Sequence, residues 1–106
     1  MMKYGKKYNF GDIIIAKVQF SDTFEIKKRP ALVLFEEYGN IVCAVITSNP
    51  HMKGINISKE EGLIADSVIK INYIFTVSEK MIEKFLFKIS SDKKEIIKSE
   101  LLKKLA

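Results

Sequence analysis

The sequence predicts an α+β domain that is mostly β: a small, strongly curved, barrel-like antiparallel sheet with short helices and a C-terminal amphipathic helix. Three observations carry this expectation. Short runs rich in Ile, Val and Phe recur from Asp12 to Phe75, each bounded by Gly, Asn, Ser or Pro. Sequential short strands with tight turns favour a bent or barrel-like sheet over a layered parallel one. The last fifteen or so residues instead repeat apolar side chains four apart, at Ile97, Leu101 and Leu105. The 106 residues, 47% of them hydrophobic, make one core and one domain over 1–106, with 1–9 read as an N-terminal arm.

The elements follow in order. Asp12 to Phe20 is a strand, with Ile14, Ala16, Val18 and Phe20 alternating against Ile15, Lys17 and Gln19. A polar loop runs from Ser21 to Lys28. Arg29-Pro30 then opens a second strand reaching Phe35, because Pro is tolerated at a strand start. Glu36 to Asn40 reads as a hairpin turn. Ile41 to Ile46 is apolar on both faces, the mark of a central strand. Thr47-Ser48-Asn49-Pro50 is a turn cluster. Gly54 to Ser58 is a short strand, Lys59 to Gly62 a turn, and Ser67 to Ile71 a strand continuing through Tyr73-Ile74-Phe75. Thr76-Val77-Ser78-Glu79 has the form of a capping box and predicts a short helix to about Phe85, before a last strand Phe85 to Ile89. Ser90, Ser91 and Asp92 offer N-caps for the closing helix to Leu105.

The formal net charge is +5, and the basic excess sits at the two ends of the chain. A basic field attracts polyanions, nucleic acid above all, although Lys-rich surfaces also serve solubility. Of the eighteen basic residues only Arg29 is Arg. A lone Arg among lysines suggests a position where the planar fork matters. The single Cys, Cys43, excludes an internal disulfide and sits in an apolar run, where it reads as a small buried hydrophobe. With one Cys, one His and dispersed glycines, the sequence offers no zinc spacing and no phosphate loop, so no cofactor is expected. No apolar stretch approaches the roughly 20 residues of a membrane span. A cytoplasmic location is the expectation.

His51 is the one candidate base for nucleophilic catalysis, in a loop where a solvated His is commoner. The sharper constellation is Arg29 with Thr47 and Ser48. Arg29 lies ten residues before Gly39, and Thr47 and Ser48 lie eight and nine after it. In a hairpin turning at Gly39 they fall at the same end. A permanent cation beside two hydroxyls suits a phosphate clamp. The same residues suit a brace, with Arg29 tied to Asp22 or Glu25 and the hydroxyls making turn bonds. Residue types and spacing leave both readings open.

Six blocks bear on that choice. Gly11-Asp12-Ile13, Phe20-Ser21-Asp22, Lys28-Arg29-Pro30-Ala31-Leu32-Val33, Val45-Ile46-Thr47-Ser48-Asn49, Ser67-Val68-Ile69-Lys70-Ile71 and Ile74-Phe75-Thr76-Val77 stand in that order. Together they resemble the PemK/MazF-like toxins of type II toxin–antitoxin systems over about residues 10–105. The resemblance implies a homodimeric, metal-independent endoribonuclease that cuts single-stranded RNA to 2′,3′-cyclic phosphate and 5′-hydroxyl ends. It implies a cognate antitoxin that occupies the RNA groove. By position, Arg29 and Thr47 carry over as the catalytic pair, with Ser48 adjacent, and the loop containing Asp22 and Lys28 covers the groove. Phe75 stands where relatives often carry an Arg, and Asn72-Tyr73 replaces a more usual acidic or amide pair. The rings of Tyr73 and Phe75 suit stacking on a base or packing. The same scaffold also implies an alternative, a non-catalytic RNA- or protein-binding domain of the gyrase-inhibitor kind.

Overall fold

The computed structural model describes residues 7–19 and 25–106. Phe20, Ser21 and Asp22, and with them half of the expected groove-covering loop, lie outside the described residues. Six strands form one antiparallel sheet: β1 (Asp12–Gln19), β2 (Ile26–Glu37), β3 (Asn40–Thr47), β4 (Ile55–Ile57), β5 (Ser67–Ser78) and β6 (Ile82–Lys88). Their order across the sheet is β4-β5-β3-β2-β1-β6. The sheet curls into a half-barrel, as the runs of short strands predict. One helix, α1 (Ser91–Leu105), closes the chain.

The hairpin between β2 and β3 turns on only two residues, Tyr38 and Gly39, with φ of 52° and 80°. Two consecutive left-handed residues make the turn whose twist suits adjoining strands, and Gly39 adopts this conformation without Cβ strain. β3 is central, between β2 and β5, as its apolar run on both faces requires. Register shifts interrupt three ladders: β2–β3 at Val33/Phe35, β3–β5 at Ala44/Val45, and β1–β6 at two points. Extra residues on one strand of a pair bend it and raise the twist, which curls so small a sheet.

The two sheet faces bury separate clusters. On the first face Ile13, Leu32, Ala44, Ile46 and Ile69 pack with Ile97 of α1. On the second face Ile14, Ala16, Ala31, Val33, Ile41 and Cys43 pack together, with Tyr8, Phe75, Val77 and Ile82 partly covering them. Two buried carboxylates hold the N-terminal segment to this frame. Asp12 accepts from the Asn9 amide at 2.9 Å and pairs with Lys88 Nζ at 2.6 Å. Glu36 Oε1 accepts from the backbone amides of Lys7 and Tyr8 at 3.1 and 2.9 Å. The described end of the N-terminal arm is therefore tied to the body.

Three expectations need correction. The helix expected from Thr76 to Phe85 is absent. β5 continues to Ser78, a single 3-10 turn covers Glu79–Met81, and β6 starts at Ile82. Pairing of β5 residues with Asn40, Ile41 and Val42 outweighs the local capping pattern, and no side chain caps this turn. The second strand begins at Ile26, so Arg29 lies inside β2. Pro30 is tolerated there because the β2–β3 ladder starts one residue later, at Ala31, leaving one flank open. Along α1, Ile97 is buried and Leu101 partly so, but Leu105 is exposed, because α1 overshoots the first-face core. Its start is as expected: Ser90 Oγ accepts from the Lys93 amide at 3.1 Å.

Candidate functional site

Side chains directly opposite in an antiparallel ladder share a face, as do residues two apart along a strand. Ala31 pairs with Val45 in the last rung of the β2–β3 ladder. Arg29 and Thr47 each lie two residues beyond that rung. The register therefore sets them level with each other on the second face, at the end of β2 and β3 away from the hairpin turn. Hairpin counting predicts a shared end for Arg29, Thr47 and Ser48, and the register shift at Val33/Phe35 sets Thr47 rather than Ser48 level with Arg29. The structure adds the face.

Among the described residues Arg29 has no partner outside its own strand, whereas Thr47 makes a turn bond of the kind the brace reading expects. Arg29 is exposed, and its guanidinium donates to the carbonyl of Lys28 at 3.1 Å, one residue back in its own strand. Among the described residues no carboxylate pairs with Arg29. The brace through Glu25 is thus not formed; Glu25 lies 3.8 Å from Lys27 instead. The partner named with it, Asp22, lies outside the described residues. Thr47 Oγ1 accepts from the Asn49 amide at 3.2 Å, closing the turn after β3. An accepted bond leaves the hydroxyl proton free to donate outward. Ser48 is exposed in the same turn. The His51 amide donates to Asn49 Oδ1 at 2.9 Å, and the residue is exposed. Among the described residues His51 has no hydroxyl partner.

Around the pair the field is positive. Lys27 sits two residues from Arg29 on the same strand and so faces the same way. Lys28 faces the opposite side, cross-strand from Lys17. Two like charges opposite each other repel, and Glu83 relieves them by pairing with Lys28 at 2.9 Å. The hydrogen bond from Lys28 is the main reason that the Glu83 carboxyl titrates below its ordinary range, with Lys28, Lys17 and Lys84 adding charge attraction. The substrate contact expected of Lys28 therefore starts from a side chain on the other side of β2 from Arg29.

The structure keeps two other named residues apart from this end. Phe75 pairs with Cys43 across β3 and β5, and its ring packs on the second-face cluster. Cys43 is fully buried, and burial pushes its thiol up to about 12. It is the inert small hydrophobe its apolar run predicts. One residue went unnoticed in the sequence. Lys70 pairs with Val45, and Val68 pairs with Thr47, so Lys70 shares the second face one rung from Thr47. The signal was there in Val68-Ile69-Lys70-Ile71, a polar position alternating with two core isoleucines.

On the first face, between the end of α1 and the β2–β3 hairpin, lies an open apolar groove of about 740 Å³. Phe10, Leu34, Phe35, Val42, Ile74 and Leu101 line it, with Lys98 and Lys104 at its side. Among the described residues no three His, Cys, Asp or Glu side chains gather as a metal site. No described helix is long and apolar enough to cross a membrane.

A family model described as PemK-like, MazF-like toxin of type II toxin-antitoxin system matches residues 9–105. No curated protein matches the chain significantly.

Proposed function

The chain belongs to the PemK-like, MazF-like toxins of type II toxin–antitoxin systems, and from that membership we propose that it is a metal-independent endoribonuclease acting on single-stranded RNA in the cytoplasm. The observation that carries the proposal is the level placement of Arg29 and Thr47 on one exposed, positively charged end of the sheet. The RNA supplies its own nucleophile. Its 2′-oxygen attacks the adjacent phosphorus, and the bond from phosphorus to the 5′-oxygen breaks. The 2′-hydroxyl proton leaves to solvent, and the departing 5′-oxygen takes one up. A 2′,3′-cyclic phosphate and a 5′-hydroxyl result.

Two residues suffice for the charge problem in that step. The phosphorane carries more negative charge on its equatorial oxygens than the diester did. Arg29 presents a fixed cation with forked donors to those oxygens. Thr47, its acceptor side already used by the Asn49 amide, donates its proton to one of them. Lys27 adds to the field that draws RNA in.

In this reading the protein works as a homodimer and is held in check by a cognate antitoxin that occupies the RNA groove. The apolar groove beside α1, with Phe35 and Ile74 each about half exposed, supports self-association, because a lone small domain gains from covering such a patch.

Incubating the purified protein with a long single-stranded RNA in EDTA tests the proposal. Discrete fragments with cyclic-phosphate ends are expected. A second reading, a non-catalytic RNA- or protein-binding domain, draws on Phe75, which packs in the core where relatives often carry an Arg. Binding without fragments would favour it.

A further inference from the structure

Resting on the RNA-cleaving reading, we infer that Lys70 and Tyr73 form a second substrate contact, Lys70 to the phosphate beside the scissile one and Tyr73 to a neighbouring base. Register is the first argument. Lys70 and Thr47 are on the same face of adjacent strands, one rung apart. Arg29 is on that face too, on the opposite side of β3. A phosphate seated at Thr47 therefore has a cation to each side. Strand spacing sets the backbones of Arg29 and Lys70 about 12 Å apart on the diagonal. Two long side chains cover that span together, and each reaches its own phosphate more easily than both reach one.

The second argument is what Lys70 does. Ile69 and Ile71 turn into the first-face core and leave Lys70 on the other side. Its ammonium sits 5.5 Å from the centroid of the Tyr73 ring and donates to the Lys53 carbonyl. Tyr73 keeps 50% of its surface exposed. The register shift between Ala44 and Val45 leaves Ile71 to Tyr73 without ladder partners, which frees this ring to stand beside Lys70. An ammonium stacked on a half-exposed ring is preorganised, because neither side chain has many orientations left to lose on binding. Single-stranded RNA offers an alternation of phosphate and base. A cation and a ring side by side match that alternation, through counterion release for one and stacking for the other.

The test uses the intact protein and a 2′-O-methyl RNA of mixed sequence, which binds but lacks the attacking hydroxyl. Binding is measured across a range of salt. Lys70→Gln should weaken binding and flatten the log–log salt dependence by about 0.7, the value of one single-strand phosphate contact. Lys70→Arg should keep the slope. Tyr73→Ala should weaken binding with the slope unchanged, and Tyr73→Phe should restore it. On cleavable RNA, Lys70→Gln should raise KM and leave kcat within about twofold, as for a contact equally strong in ground and transition states. A merely structural lysine, one that only anchors the Lys53 carbonyl, would not move the slope. A second measurement needs no variant: bound RNA should protect the Lys70 amine of the unaltered protein from acetylation. An unchanged slope in Lys70→Gln, or no protection, would overturn the inference. A protein that cuts RNA with either of those results refutes the Lys70 contact alone. A protein that cuts nothing but shows both the slope change and protection refutes the nuclease reading and keeps the contact.

Discussion

The second face of the sheet has two ends built from the same strands, and they serve opposite purposes. Toward the hairpin, Val33, Ile41 and Cys43 are fully buried and Phe75 and Val77 pack over them. Toward the other end, the same β2 and β3 present an exposed Arg29 and a half-buried Thr47. Only three residues separate buried Val33 from exposed Arg29. The difference comes from what covers each end. Tyr8, its amide held by Glu36, and Val77, opposite Ile41 on β5, close over the hairpin end. Among the described residues nothing comparable covers Arg29. Burial of one end stabilises the fold, and the uncovered end is where a charged ligand can be met without first being desolvated.

That contrast is open to direct attack, beginning with its largest consequence. Arg29→Ala should lower RNA cleavage by about 100-fold or more, the range lost when one charge-stabilising donor is removed from an active site. Its thermal midpoint should stay with the wild type, since among the described residues Arg29 bonds only a carbonyl of its own strand. Undiminished cleavage would remove the uncovered end from the mechanism. Arg29→Lys should recover part of the loss, because it keeps charge and loses the fork.

The buried end should answer in stability. Ile41→Ala deletes a fully buried side chain and should cost about 2–5 kcal/mol in urea unfolding, while the folded fraction binds RNA normally. Loss of RNA affinity in proportion to stability would show that the two ends are not separable.

Glu36→Ala should cost less, about 1–3 kcal/mol, by stranding the Lys7 and Tyr8 amides. Hydrogen exchange at those two amides should quicken selectively. If exchange does not change, Glu36 is not what holds Tyr8 over the hairpin end.

The smallest effect concerns Cys43. Its thiol ionises at about 12 in the folded chain against an ordinary 9.0, so iodoacetamide at pH 8 should leave the native protein unmodified and label it once unfolded. The sign of the linkage follows from the raised value. Above pH 9.0 the unfolded thiol loses its proton and the folded one keeps it, so stability should fall as pH rises toward 12. Cys43→Ala should remove that part of the fall.

Legibility differed from element to element. β3 was readable because an apolar run on both faces has few places to go but the middle of a sheet. The shared end of Arg29, Thr47 and Ser48 was readable by counting from a turn at Gly39, whereas the level placement of Thr47 depends on the β2–β3 register shift, which no count shows. The expected helix after Thr76 failed for a physical reason. A capping pattern is local, whereas Val77 gains from pairing with Ile41 and from packing on the second-face cluster. Lys70 was legible as an alternation but not as a neighbour of Thr47, because no residue count crosses from β3 to β5 through the loop and turns between them.

The sequence by itself determined a curved antiparallel sheet, a central third strand, a buried cysteine and a shared end for Arg29, Thr47 and Ser48. Each of these depends on local pattern or on a turn of fixed length. Only the tertiary structure decided which face that pair occupies, that the β2–β3 register shift sets Thr47 and not Ser48 level with Arg29, that Lys70 and Tyr73 share its end, and that Tyr8 helps close the hairpin end. Those outcomes depend on ladders between strands distant in the chain and on which surfaces remain uncovered once the sheet has curled.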